Sequence, residues 1–582
     1  MIKVLVFVAV CCFALGTFAS QADAIDPRIR TYVYPKRILW FTSAERHDDG
    51  WQERRRTENL DLLLKDKFGQ VCEGRFASST GTKLINNGEM PGFILDFGRE
   101  LHGGVQLGMS PKATSGARLR LRFGESVSET MSSPGDGRHA TNDHALRDFE
   151  LAVPSFGSIE VGHTGFRFLR VDLITGGEVG FEFIRAVSLM RPMKPIGFFR
   201  SSDERLNRIF ETAVRTVHLC CQEYLWDGIK RDRLVWMGDL HPEAMTIMNV
   251  FGAEEIIPRS LDYMAATSTP EKWMHGMPTY TLWWIRNLAD WYRYTGDVEY
   301  VKKHIGYLEK TFDKVCGAIR DGEWVEDGFL DWPTWHDKSA SKAGAQGLAY
   351  LALIDVEMLA KASGNASMAH RAKQCSRNFK NHRPDPRQEK SAAAMLALAG
   401  LREPEEMYSQ VLGVDGYKKV STFYGYYMLE AMSAAGKNQR ALNTVRDYWG
   451  GMLDMGATSF WEDFDLAWTN NAFRIDELPV AGKRDIHGDF GQFCYPGFRH
   501  SLCHGWSCGP AAWCINNILG IRPISTGCKE VEIKPFLGDL QWVEGAMALP
   551  DGRRIHVRCE KRSNGSVETK VNAPSDVSIV RR

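Results

Sequence analysis

The sequence has no excess of charge, since 72 basic and 72 acidic residues cancel over 582 positions. That balance argues against nucleic acid or an anionic membrane surface as the main partner, because both select a surplus of cations. Cysteine is sparse. Thirteen cysteines are scattered along the chain, which excludes a small disulfide scaffold. Eleven of them follow residue 24, and most are expected to be buried small hydrophobes. Cys494, Cys503, Cys508 and Cys514 gather around His504, but no C-x2-C pair is present. Without that spacing a zinc site is disfavoured, and neither metal nor cofactor is expected. After the first 24 residues, no stretch is both long enough and free enough of charge to cross a bilayer, which takes ~20 apolar residues.

What is there belongs to a large globular protein. Hydrophobic content of 44% with 25% charged residues is ordinary for a soluble chain, and the length implies roughly three or four domains. Seventeen tryptophans suit sugar-binding surfaces, although large cores use tryptophan too. Residues 1–24 read as an export signal: Lys3, an apolar run from Val4 to Phe18, and the small-residue cleavage site Ala22-Asp23-Ala24. The alternative is a single-span anchor. Neither Cys11 nor Cys12 has the small residue before it that lipid attachment uses. The mature chain is expected to be soluble and exported, periplasmic or extracellular, with no membrane span.

The pattern then divides the chain. Phe93–Phe97, Ala117–Phe123 and Phe166–Val171 alternate apolar with polar residues, the period of half-buried strands. Gly103-Gly104 and the Pro134–Arg138 run supply turns, so residues 25–197 are expected to form a β-sandwich. From about 200 the period becomes helical. Ser202 or Asp203 can cap a helix with Leu206, Ile209, Ala213, Val214 and Val217 on one face. Further helices are expected at 280–294, 343–363, 390–401, 421–435, 439–449 and 509–519. Gly296, Gly364, Gly436 and Gly520 stand where stops belong. Periodicity thus gives a large α domain over 198–520. Residues 521–582 return to strands around Val531–Ile533, Leu540–Val543 and Ile555–Cys559.

Residues 226–243, WDGIKRDRLVWMGDLHPE, place Asp227, Asp232, Asp239 and Glu243 among Trp226, Trp236 and three basic residues. A core segment does not tolerate so many unpaired carboxylates. A catalytic cleft suits the mixture, and so does a salt-bridged helix entry in which Arg231 and Arg233 pair Asp227 and Asp232. The spacing Asp227-x4-Asp232-x3-Trp236-x2-Asp239 resembles the signature of the inverting α-L-rhamnosidases, glycoside hydrolase family 78. The resemblance extends to GATSFWEDF (Gly456–Phe464) and SLCHGW (Ser501–Trp506). It also covers DFGRELHGGV, RFGES and HTGFRFLRV in the first third, and GIRPISTGCKEVEIKP with WVEGAMALPDGRRIHV at the end.

The resemblance implies a multidomain α+β protein: an N-terminal β-sandwich (25–197), a central (α/α)6 barrel (198–520) and a small C-terminal β-sandwich (521–582). It places Asp232 as general acid, where the family usually has Glu, and Glu462 as general base. It places Asp227 and Asp239 on substrate hydroxyls, Trp236 as a wall, Trp332 as an aromatic platform that Trp335 and His336 could join, and His504 near the sugar. Glu243 is the reserve acid. Trp236 and a lone histidine such as His504 also have plain structural readings, and Trp283, Trp284 and Trp291 are expected in the core. The implied function is removal of terminal α-L-rhamnose or a related sugar from an oligosaccharide or polysaccharide. The alternatives are a non-catalytic carbohydrate-binding protein on this fold, its acid disabled by the shorter Asp232, and a hydrolase for another sugar such as a uronic acid, for which Arg231 and Arg233 are available.

Overall fold

The computed structural model describes residues 26–42, 45–46, 53–54, 56–65, 81–110, 113–491 and 493–581. The N-terminal segment read as an export signal, with Cys11 and Cys12, lies outside them. The first third is antiparallel sheet. Three long strands, Gly92–Met109, Gly157–Leu173 and Gly177–Met190, form its centre. Gly92–Met109 pairs with both of the others and with Arg37–Phe41. Such long strands bend at register shifts, between Val161 and Thr164 and between Phe166 and Phe168. Alternation fills the interior with Phe93, Leu95, Phe97, Leu119, Leu121, Phe166 and Leu169. The strand expectations at 93–97 and 166–171 fall within observed strands, and that at 117–123 begins one residue before the strand Arg118–Gly124.

The next element precedes the long helices. Phe198–Ser201 is a strand, and it pairs antiparallel with Trp542–Ala548, near the far end of the chain. Helices begin at Glu204–Cys220, where Asp203 caps the first turn by accepting the Leu206 amide at 3.2 Å. The main helices after it are Met237–Val250, Pro278–Thr295, Lys338–Ser363, Lys390–Leu398, Gly425–Ala434 and Gly509–Trp513. Each packs on the next, and the last returns to Met237–Val250, closing the order. Gly296 and Gly364 end their helices in the left-handed region, φ 74° and 81°, which a glycine adopts without the steric cost other residues bear. Trp283, Trp284 and Trp291 are buried, as expected of core.

Lys338–Ser363 is long and apolar enough to cross a membrane by length and composition, which the sequence reading overlooked, and most of its apolar window is buried inside the protein. Periodicity also missed Ile256–Thr267, Val298–Gly317 and Ala366–Ser376. Val298–Gly317 carries charge on much of its surface, so its apolar stripe is narrow. A disulfide joins the last two, Cys316 to Cys375. The remaining described cysteines are free, and all but Cys494 are buried.

Candidate active site

The loop from Trp226 to Trp236 is closed on itself. The Asp227 amide donates to the Leu234 carbonyl, and the Leu234 amide donates to Asp227 Oδ1, both at 3.0 Å. The Asp227 carbonyl accepts the Gly505 amide at 2.7 Å, and Gly228 bridges to His504. The loop is thereby fastened to the segment that carries His504. Its other side is fastened to the N-terminal sheet. The Gly165 amide donates to the Ile229 carbonyl at 2.8 Å, and the Lys230 ammonium sits 3.3 Å from Glu125 and 3.0 Å from Glu129. Glu125, Glu129 and His487 stand close enough to surround a cation. Lys230, together with Arg147 at 3.0 Å from Glu129, already supplies the positive charge there. His487 spends its two ring nitrogens on Ser126 Oγ and the His500 carbonyl.

At the loop's tip Asp232 and Arg233 are both left-handed, φ 50° and 55°. Neither is glycine, so each conformation costs on the order of 1–3 kcal/mol and persists only because its surroundings impose it. Those surroundings are the Asp232 amide donating to His144 Nδ1 at 3.1 Å and the Arg233 guanidinium donating to the carbonyls of His144 and His163. The helix-entry pairing read from the sequence holds only for Arg231 with Asp232. Arg233 pairs with neither aspartate, and Asp227 accepts a backbone amide instead of a guanidinium.

Arg231 is buried and bridges two carboxylates. Nη1 donates to Asp232 Oδ1 at 2.8 Å, Nη2 donates to Glu462 Oε1, and Nε donates to the Arg499 carbonyl at 2.9 Å. Its plane lies 3.8 Å over the Tyr495 ring. Glu462 sits in the irregular segment after the helix Gly450–Asp454. It accepts the Ser501 amide on Oε2 at 2.9 Å and the Cys494 thiol on Oε1 at 2.6 Å. Burial alone would raise Glu462, but the charge of Arg231, with the hydrogen bonds from Cys494 and Arg231, holds it down to about 2. It is an anion at any ordinary pH.

The other carboxylates run the opposite way. Asp239, in the first turn of Met237–Val250, accepts the Tyr280 hydroxyl at 2.9 Å, and burial pushes it up to about 8. Asp227 is raised well above its ordinary value by burial and by the neighbouring Asp232 and Asp239. His504 Nε2 lies 3.6 Å from Asp227, 3.9 Å from Asp239 and 3.9 Å from Glu462. Burial lowers His504 to about 3, so the ring is neutral. Those separations leave room for a hydroxyl among the four groups. A protonated carboxyl both donates and accepts, which suits a hydroxyl ligand.

All seven residues singled out for the site, Asp227, Asp232, Trp236, Asp239, Trp332, Glu462 and His504, line one cavity of about 210 Å³. Trp236 stacks on His275 with its edge toward Tyr280, and Trp332 packs against Phe329, with Tyr495 at 6.2 Å. Trp335 joins the rim, 49% exposed, whereas His336 does not line the cavity. Asp239 stands in the first turn of the helix Met237–Val250. Glu243, the reserve acid, lies outside the cavity. It is buried against Gly505, its Oε1 has no hydrogen-bond partner, and burial raises it strongly. The four clustered cysteines do not converge: Cys494 donates to Glu462, Cys508 to Pro242 and Thr246. Sequence reasoning missed Tyr280, Phe329, Tyr495 and Trp506 as lining residues, and His144, which reaches the site from the N-terminal sheet. Only the paired aromatic and acid runs hinted at the first four. His144 carried no local signal. A larger cavity, about 680 Å³, opens at the other end of Met237–Val250 and contains none of these residues.

The sequence matches the bacterial alpha-L-rhamnosidase 6 hairpin glycosidase domain over residues 194–518 and the bacterial alpha-L-rhamnosidase C-terminal domain over 520–580. Among solved structures, the chain is similar to a family GH78 rhamnosidase of Bacillus sp. GL1, at 22% identity and TM-score 0.70, over 85% of this chain and 53% of that one. It is similar to a rhamnosidase from Klebsiella oxytoca with rhamnose bound, at 21% identity and TM-score 0.63, over 84% and 96%. It is also similar to a Streptomyces avermitilis alpha-L-rhamnosidase complexed with L-rhamnose, at 16% identity and TM-score 0.67, over 86% and 50%. The chain thus spans about half the length of the Bacillus and Streptomyces proteins. At these identities the likeness concerns the fold. No curated protein matches the sequence.

Proposed function

This chain belongs to the bacterial α-L-rhamnosidases of glycoside hydrolase family 78, and we propose that it removes terminal α-L-rhamnose, or a closely related sugar, from glycans with inversion. The observation that carries this reading is the pair Asp232 and Glu462 facing one cavity with the Arg231 guanidinium between them. An inverting hydrolase needs an acid to protonate the leaving oxygen and a base to activate water on the opposite face. Its carboxyls stand ~6.5–9.5 Å apart to admit that water. A guanidinium inserted between two carboxylates keeps them from direct contact and within reach of one sugar ring. Glu462, ionised throughout, suits the base. It takes a proton from water as the water oxygen attacks the anomeric carbon. Asp232, on the more open side, suits the acid. It passes its proton to the glycosidic oxygen as that bond breaks.

Trp236, Tyr280, Phe329 and Trp332 offer apolar faces to the ring and its methyl group, while Asp227, Asp239 and His504 meet hydroxyls. A cavity of about 210 Å³ is smaller than the ~300–1,000 Å³ of drug-sized sites, which favours one terminal sugar over a polymer segment. The uronic-acid alternative is weakened, because Arg231 is already engaged by two carboxylates and Arg233 by carbonyl oxygens. The closed order of helix contacts supports an (α/α)6 toroid, between an N-terminal β-sandwich and a C-terminal β-sandwich that Phe198–Ser201 joins. The Cys316–Cys375 disulfide and the apolar leader support export, since disulfides persist in oxidising compartments.

Asp232→Asn and Glu462→Gln test the roles on two substrates, a rhamnosyl disaccharide and an aryl rhamnoside with a good leaving group. Asp232→Asn is expected to lose ~10²–10⁴-fold on the disaccharide and little on the aryl glycoside. Glu462→Gln is expected to fail on both, because neither substrate supplies its own nucleophile. Proton NMR of the first product should show β-rhamnose. Binding of rhamnosides without turnover on either substrate would establish the carbohydrate-binding alternative.

A further inference from the structure

The acid position is one methylene short of what the family usually places there, and the structure shows what holds the shorter side chain. The Asp232 backbone is turned into the left-handed region, so the main chain rather than the side chain sets the reach of the carboxyl. One imidazole contacts both. His144 Nδ1 accepts the Asp232 amide at 3.1 Å, which fixes that nitrogen as unprotonated and puts the ring's hydrogen on Nε2. Nε2 then stands 3.6 Å from Asp232 Oδ1 and 3.6 Å from Asp143 Oδ2, close by but outside hydrogen-bond distance of either. Arg231 Nη1 donates to the same Asp232 Oδ1 at 2.8 Å, so the charged neighbours gather on that oxygen. Oδ2 is left to carry the proton toward a leaving group. The His144 carbonyl receives Arg233, the second left-handed residue, so the same residue restrains both halves of the strained turn.

His144 lies outside the helical segment, between the strands Arg118–Gly124 and Asp148–Ala152. Its neighbour Asp143 pairs with Arg499, whose carbonyl accepts Arg231. The N-terminal sheet therefore reaches the catalytic loop through a chain of named contacts: Asp143 to Arg499 to Arg231, and His144 to Asp232.

We propose that His144 is a positioning residue for the acid Asp232, and that the N-terminal β region completes the site by supplying it. This rests on Asp232 being the acid. Displacing a reacting group by an ångström can cost ~10²-fold, and only the step that uses the group feels it.

The test compares wild type, His144→Ala, His144→Asn, Asp232→Asn and the double variant His144→Ala/Asp232→Asn on the disaccharide and the activated aryl rhamnoside. His144→Ala is expected to lower kcat on the disaccharide by ~10–10²-fold, with KM held and the aryl substrate within about threefold. His144→Asn retains an acceptor near the Nδ1 position and is expected to recover most of that loss. The double variant is expected to be no slower than Asp232→Asn, because His144 acts through Asp232. Equal losses of His144→Ala on both substrates, a further loss in the double variant, or no rescue by Asn each overturn the proposal. If His144→Ala does not fold, His144→Asn and His144→Gln take its place: Gln reaches the Nε2 position but offers nothing at Nδ1, so only Asn should retain disaccharide turnover. Failure of the acid assignment itself reads out separately, as an Asp232→Asn variant equally slow on both substrates with native His144.

Discussion

Arg231 sets the electrostatics of the cavity at the residue scale. Glu462 is held at about 2 chiefly by that guanidinium, which works against burial. A carboxylate so low stays ionised across the acid range, so Glu462 in its proposed role as base does not set the acidic limb of kcat/KM above about pH 3. In Arg231→Met the burial contribution is left largely unopposed. Glu462 should rise past its ordinary 4.5, and the acidic limb should move up by on the order of two pH units. A pH–rate profile with an unmoved limb would contradict this. The sign for stability follows the same shift. Glu462 is depressed in the folded protein, so its contribution is present above about pH 4.5 and is lost as pH falls toward about 2. Arg231 was legible in the sequence as a charge beside Asp232. That it spans Asp232 and Glu462 was not, because the two partners are separated by 230 positions of chain.

At the scale of elements, the site depends on the helix Met237–Val250 lying flush against the segment from Ser501 to Cys508. Gly505 makes that approach possible. A Cβ there would sit 1.4 Å from Glu243 Oε1, and the nearest three atoms it meets all belong to Glu243. Gly505→Ala should therefore destabilise by about 1–3 kcal/mol, the range for overpacking, and lower activity by shifting His504. Because the obstruction is a single side chain, Glu243→Ala should relieve it. In a double-mutant cycle by thermal denaturation the pair should be more stable than the sum of the singles implies. Additive losses would place the clash elsewhere. This explains Glu243 as well. Its spacing in the motif made it a reserve acid, yet the helix turns it away from the cavity and packs it unpaired against a glycine. Spacing alone told which residues share a loop. The direction each side chain takes depended on where the next element packs.

The whole molecule is braced at its periphery by the Cys316–Cys375 disulfide, which ties Val298–Gly317 to Ala366–Ser376. It lies outside the set of residues that line the cavity. Replacing both cysteines by serine should lower stability by about 2–4 kcal/mol, as expected when a cross-link restricts the unfolded chain, while kcat and KM at 25 °C stay near wild type. Thermal denaturation and steady-state kinetics on one preparation check both halves. A large kinetic change would mean that the helix pair shapes the site directly.

Sequence alone determined the succession of strands, helices and strands, because periods of 2 and 3.6 are written locally. It also singled out, through the resemblance of three short runs to a known family, seven residues that the fold brings to one cavity. Tertiary structure alone decided the rest. It sent Phe198–Ser201 to the C-terminal sheet, since a four-residue strand carries no mark of its partner. It brought His144 from the N-terminal sheet onto Asp232, and imposed left-handed conformations that no propensity of Asp or Arg would select. It divided four carboxylates into one held ionised by Arg231 at Glu462, two raised by burial at Asp227 and Asp239, and one left on the open rim at Asp232. A carboxylate's charge depends on how deeply it is buried and what lies within a few ångströms, and both are properties of the packed chain.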